Sequence, residues 1–198
     1  MSYPKQIDAD AVLASGLELL EANPFPEISL RAVAARLGVK APSLYRYFPD
    51  KAALERAILG AVHGLLHERL AEAAAEKDGE EGFRAITLAY LEFARERSQL
   101  YFFLTERSAE PDTSAEGKEL WRFLLSWVGR LSGDADDTDH AVAVWSFLHG
   151  FASLEHAGRF GKSGPRGGFD RGLEALIESM RGGRVLADGA AARGAVTS

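Results

Sequence analysis

The sequence predicts an all-α protein: an N-terminal three-helix head carrying a helix-turn-helix, then a C-terminal helical bundle, about nine helices in all. Apolar residues recur at helical spacing along most of the chain, and no segment reads as a strand. Residues 29–51 carry the punctuation of two short helices joined by a tight turn. Pro- and Gly-rich pieces at 23–26, 77–82 and 161–168 separate the longer periodic segments. The expected domains are residues 1–49 for the head, 50–183 for a helical body, and 184–198 for a disordered Ala/Gly tail.

Residues 7–22 form the first amphipathic helix, with Ala11, Leu13, Ala14, Leu17, Leu19 and Leu20 as its stripe. Two prolines in Asn23-Pro24-Phe25-Pro26 end it, and Phe25 and Ile28 are expected to plug the space beneath the next pair of helices. Ser29 is a natural N-cap for a helix carrying Leu30, Val33, Ala34 and Leu37 on one face. Gly38 suits its left-handed C-terminus, and Pro42 suits the start of a second short helix at 41–48, anchored by Leu44 and Phe48. Pro49 stops that helix and Asp50 caps the next, a long helix at 50–75 with the seam Leu54, Ile58, Ala61 and Leu65. At about 1.5 Å per residue it spans roughly 35–40 Å, enough to belong to both head and body.

Helices are then expected around Phe83, Ile86, Tyr90 and Phe93, at 100–104, at 115–131, at 139–159 opened by Asp139, and at 169–180. The polar piece at 77–82 is a linker, and 110–114 and 161–168 are loops.

The chain has 198 residues, a net charge of −6 and no cysteine, so disulfides and thiolate metal sites are excluded. The absence of cysteine fits a reducing cytoplasm. No apolar run has the length of a membrane span, and the first residues lack the apolar core of a signal peptide. An acidic balance argues against nonspecific coating of nucleic acid. Within it, residues 31–56 form a basic island of six cations (Arg31, Arg36, Lys40, Arg46, Lys51 and Arg56) against two acids, Asp50 and Glu55. Cations, hydroxyls and free N–H groups are what phosphate binding needs.

The run Leu37-Gly38-Val39, Pro42-Ser43-Leu44-Tyr45, Tyr47-Phe48 and Lys51-Ala52-Ala53-Leu54 resembles the DNA-binding helix-turn-helix of the tetracycline-repressor-like (TetR/AcrR) regulators. The resemblance covers the first quarter to third of the chain. Trp145, His149 and Gly150 resemble, more weakly, the Trp–His–Gly signature of one C-terminal subgroup. The resemblance implies a transcriptional regulator, most readily a ligand-responsive repressor on a palindromic operator in double-stranded DNA. It also implies that Arg31, Lys40, Ala41, Pro42 and Tyr45 face base edges, that Ser29, Ser43, Tyr47 and Lys51 hold phosphates, and that Arg46 does either. Ala41 stands where members often carry a polar residue, which suits thymine-methyl contact rather than hydrogen-bonded readout.

A row of small residues, Ala143, Ser146, Gly150, Ser153 and Ala157, flanked by Phe147 and Leu154, suits close approach of another helix. A two-fold partner meets that need, as does a helix of the same chain. Dimeric readers match half-sites about 34–36 Å apart, which favours the homodimer. Phe102, Trp121, Trp145 and His149 are candidate linings for a small, mainly apolar effector. His63 and His67 have the four-residue spacing of a ligand pair but no third ligand nearby, so they read as a solvated face and no metal is assigned. His149 and His156, two turns apart, read first as structural histidines, with a ligand-pocket or pH-sensitive role as the alternative. No phosphate loop follows a strand and no motif marks a nucleophilic serine, so no cofactor is assigned and the chain is not read as an enzyme. An activator, or a helical small-molecule-binding protein with a vestigial helix-turn-helix, is compatible with the same sequence.

Overall fold

A computed structural model of the chain describes residues 7–22, 28–106 and 114–194. Among the described residues there are eight α-helices, one short 3-10 helix and no strand. In order they are α1 (Ala9–Ala22), α2 (Leu30–Leu37), the 3-10 helix (Ala41–Ser43), α3 (Lys51–Ala74), α4 (Gly79–Glu96), α5 (Ser98–Glu106), α6 (Ala115–Ser132), α7 (Thr138–His156) and α8 (Gly168–Gly194). The helix expected at 41–48 is therefore a 3-10 turn continued by further turns, which lowers the count from nine. Phe25, the break at 23–26 and most of the loop at 110–114 lie outside the described residues.

The chain divides into two compact units, Met1–Leu65 with Arg97–Lys118, and Leu66–Glu96 with Glu119–Ser198. The first thus extends beyond the expected boundary at residue 49, because the start of α3 belongs to its core. Leu54, Ile58 and Val62 are fully buried, and Ile58 lies so close to Gly16 of α1 that a Cβ there would sit 2.7 Å from its Cδ1. Alpha-helix α1 packs on α2 and on α5, with Val12, Leu20, Ile28, Leu30, Val33, Leu44, Leu100 and Tyr101 filling the space. The buried row on α3 is Leu54, Ile58, Val62, Leu66 and Leu70, a strict four-residue repeat. Ala61 and Leu65, expected in that seam, are only half-buried.

In the second unit α4 packs on α7 and α7 on α8. Phe83, Ile86, Tyr90 and Phe93 are all buried on α4, as their spacing predicts. Trp127 lies across Gly82, where a Cβ would sit 2.3 Å from its ring, so only glycine admits the indole. Phe147, Phe151, Phe160 and Phe169 form a ring cluster with centroid separations of 5.0–6.1 Å.

Two boundaries moved. Asp137, not Asp139, caps α7, its carboxylate accepting from the His140 N–H at 3.1 Å. The last helix runs through Gly182 and Gly183 to Gly194, where a disordered tail was expected from residue 184. Ala187, Ala190, Ala191 and Ala192 carry the highest intrinsic helix propensity and offset the glycines.

Candidate nucleic-acid interface

The site is built from α2 outward. Ser29 has the extended backbone of an N-cap (φ −147°, ψ 151°), and its Oγ accepts from the Ala32 N–H at 3.2 Å. Gly38 closes the helix at φ +71°, a left-handed conformation that costs a side-chain-bearing residue free energy. Its N–H and that of Val39 return to the carbonyls of Ala35 and Ala34. The chain is thereby turned into the 3-10 helix. Pro42 there has no N–H to donate, and Ser43 spends both its N–H (3.0 Å) and its hydroxyl (2.7 Å) on the Lys40 carbonyl. These three-residue bonds draw the segment tighter than an α-helix. Leu44, fully buried, anchors it, and its carbonyl accepts from Tyr47 and Phe48. Asp50 then caps α3 by accepting from the Ala53 N–H at 2.7 Å.

What this turn presents is polar and cationic. Arg31, Lys40, Pro42, Ser43, Arg46, Lys51 and Arg56 are exposed, and Tyr45 is 52% exposed despite its ring. Not all six cations are equally available. Arg36 is drawn back to Glu18 on α1 at 2.7 Å, and Lys51 lies 3.6 Å from Glu55. Arg31, Lys40 and Arg56 form no ion pair among the described residues. Arg56 is a member of this face that motif reading passed over, although its charge stood in the basic island.

The hydroxyls divide in the same way. A phosphate oxygen only accepts, so a phosphate contact needs a free donor. Ser29 accepts in its cap and keeps its proton. Ser43 donates to Lys40, and the Tyr47 O–H donates to the Ile7 carbonyl while accepting from Arg46 Nη2 at 2.6 Å.

Two family models fall on this architecture. Residues 12–58 match the model described as bacterial regulatory proteins, tetR family, which spans α1 through the first part of α3. Residues 83–180 match the model described as tetracyclin repressor-like, C-terminal domain. The chain belongs to the TetR family. The C-terminal description is the broader of the two assignments the sequence suggested. Among relatives of the family, the HTH-type transcriptional regulator EthR of Mycobacterium tuberculosis is 31% identical over 123 residues, 60% of this chain and 55% of EthR. The alignment therefore spans little more than half of EthR. An uncharacterized HTH-type regulator of the same species, Rv0681, is 23% identical over 80% of this chain and 74% of its own. Two solved structures share the fold. TetR from Acinetobacter baumannii AYE has a TM-score of 0.62 at 23% identity, covering 90% of this chain and 99% of that one. A protein of unknown function from Rhodococcus sp. RHA1 has a TM-score of 0.70 at 22% identity, covering 92% and 98%. A TetR-family regulator of transcription is a DNA-binding protein and not an enzyme.

The other candidate residues are more scattered. On α7, Ser146, Leu154 and Ala157 are exposed, and Ala143, Gly150 and Ser153 are half-buried. A Cβ on Gly150 would meet nothing within 4 Å, so no close approach among the described residues explains that glycine. Phe147 is taken up by its own chain, stacked 5.4 Å from Phe169 and lying over Gly172. Val142 (45% exposed) and Trp145 (53%) lie on the exposed side of the same helix and were not assigned to it from sequence. Trp145 meets Trp121 edge-on at 6.4 Å, with His149 half-buried on the next turn. Phe102 belongs to the first unit, half-buried and edge-on to Tyr101.

The histidine pair on α3 is not a solvated face. Both rings are half-buried, and His67 sits edge-on to Phe123 at 5.0 Å. A further arrangement was invisible in the sequence: His140 Nδ1 lies 2.8 Å from Asp137 Oδ2 and its Nε2 lies 3.0 Å from Ser179 Oγ. Burial opposes charge on Asp137, but hydrogen bonds from the His140 N–H, Ser132 and the His140 ring outweigh it and hold the carboxyl below the usual range. Ser179 lies inside α8, where the amides are spent on the helix, so no paired N–H donors stand ready for an oxyanion. The trio ties the start of α7 to α8.

Proposed function

We propose that this chain is a ligand-responsive transcriptional repressor that binds a palindromic operator as a homodimer in the cytoplasm. The observation that carries the reading is the turn after α2. It is held by local bonds, one buried leucine and the Tyr47–Ile7 bond, and it leaves Arg31, Lys40, Tyr45 and Arg56 exposed with no carboxylate partner among the described residues. Side chains so placed suit a major groove and its flanking phosphates. Arg31, Lys40 and Tyr45 would meet base edges, with Ala41 and Pro42 against thymine methyls, while Ser29, Lys51 and Arg56 hold phosphates. Resemblance assigned Ser43 and Tyr47 to phosphates as well; their committed protons argue for holding the turn instead.

The exposed apolar side of α7, with Val142, Trp145, Leu154 and the open Gly150, supports a second copy as the partner. In that arrangement Trp145 serves the dimer more than an effector. A small apolar effector, lined by Trp121 and His149 in the second unit, would favour an arrangement of the two heads that misses the half-site spacing. A coupling of about 1–3 kcal/mol suffices for such a switch.

The test is a genomic-fragment pull-down with sequencing, run beside an Arg31→Ala/Tyr45→Ala/Lys51→Ala variant. A few palindromic sites recovered by the native protein alone would support the reading. Equal recovery by both proteins, or no enrichment, would sink it.

A further inference from the structure

Resting on that reading of the head, we propose that Tyr47 is a positioning residue that aims Arg46 at DNA by tying the recognition turn to the entry of α1. The bond runs from the Tyr47 hydroxyl to the Ile7 carbonyl, forty residues away in sequence. Ile7 stands just before Asp8, whose carboxylate caps α1 by accepting from the Ala11 N–H at 2.8 Å. The two ends of the head are thus stitched at one point.

Three features of the site converge on this role. A phenol has one proton, and here it is spent on Ile7. To hold a phosphate, Tyr47 would have to release that carbonyl, leaving a part-buried acceptor unmatched. The turn is also too short to orient itself. Three residues of 3-10 helix and one fully buried side chain, Leu44, leave its far end to be fixed by something else. Finally, Arg46 is held rather than free. Its guanidinium lies 4.6 Å from the centre of the Tyr47 ring, and its Nη2 donates to the same hydroxyl. A stacked arginine keeps its remaining donors in a fixed plane, which suits forked recognition of a base or phosphate. Ile7, Tyr47 and Arg46 form one relay, of which only Arg46 meets DNA.

The relay is tested in the full chain with Tyr47→Phe, Arg46→Gln and the double variant, beside Lys51→Ala. Tyr47→Phe keeps the ring under the guanidinium and removes only the hydroxyl. In the free protein it should accelerate amide hydrogen exchange across residues 41–47, with the melting curve of the whole chain little changed. On a duplex carrying the most enriched site from the pull-down, Tyr47→Phe should weaken binding about fivefold to tenfold. Arg46→Gln added to it should cost less than about twofold more, because the aim is already lost. Unchanged exchange at 41–47 overturns the relay, and so does a double variant whose losses multiply. If Lys51→Ala weakens binding while either of those results holds, the relay alone fails. If Lys51→Ala and Arg46→Gln both bind like the native chain, the DNA reading fails and takes the relay with it.

Discussion

Several arginines of the second unit are matched to carboxylates on neighbouring helices, whereas Arg31, Lys40 and Arg56 in the recognition stretch have no carboxylate partner among the described residues. Arg84 bridges Glu80 and Glu174, Arg181 joins Glu80, Arg95 grips both oxygens of Glu155, and Arg69 reaches Glu92. Hydrogen bonding to Glu174 and Glu80 raises the Arg84 pKa above its ordinary value, and Glu155 does the same for Arg95. Around the turn, Arg31, Lys40 and Arg56 have no such partner among the described residues. The same residue type therefore does two jobs. Where helices of the second unit meet, these arginines are matched inside the chain; the three unmatched cations of the recognition stretch are, as we propose, left for DNA to match. The packing differs in parallel: interlocking aromatic rings in the second unit, and in the turn one leucine, a few local bonds and the Tyr47–Ile7 link.

The comparison breaks most visibly in the second unit. Phe83, fully buried, should cost about 3–5 kcal/mol when cut to alanine, a loss readable as a lower melting temperature. Gly82→Ala should cost about 1–3 kcal/mol by pressing on Trp127, and a second-site Trp127→Leu should recover part of it. An unchanged melt for Gly82→Ala would mean the indole does not lie there.

Smaller effects belong to the turn. Gly38→Ala should destabilise by about 1 kcal/mol, since φ +71° is strained for alanine although the space beside it is open. Lys51→Ala should leave the melt within about 0.5 kcal/mol and reduce the slope of log K against log salt by about one per protomer. The smallest effect is on acid stability. The Asp137 carboxyl is held below its unfolded value of about 3.9, so its contribution is present above that value and is lost as pH falls through the folded one. Asp137→Asn should flatten melting temperature against pH in that acid range; an unchanged profile would deny the native bond network a role.

Much of this was legible because it rests on local rules. Ser29, Gly38 and Pro42 each mark a backbone requirement that one residue type meets, and the α4 stripe follows from period alone. The family signature sat in the same residues. What escaped reading depended on long-range neighbours. Nothing in sequence says that Arg36 will be claimed by Glu18, that Tyr47 will bond to Ile7, or that His140 will bridge Asp137 and Ser179. The 41–48 segment was read as an α-helix because cap and proline signals do not separate α from 3-10 geometry in one turn. The seam of α3 slipped because apolar residues surround that helix, so spacing alone did not choose the face.

We propose that cations of the recognition stretch hold DNA, while arginines matched between helices of the second unit hold the fold. The most direct test is a salt titration of duplex binding with paired melting curves, for Arg56→Ala and for Arg84→Gln/Arg95→Gln. The first variant should show a slope smaller by about one per protomer at an unchanged melting temperature, and the second should melt lower while retaining the native slope. A second variant that loses the slope, or a first that keeps it, would contradict the account.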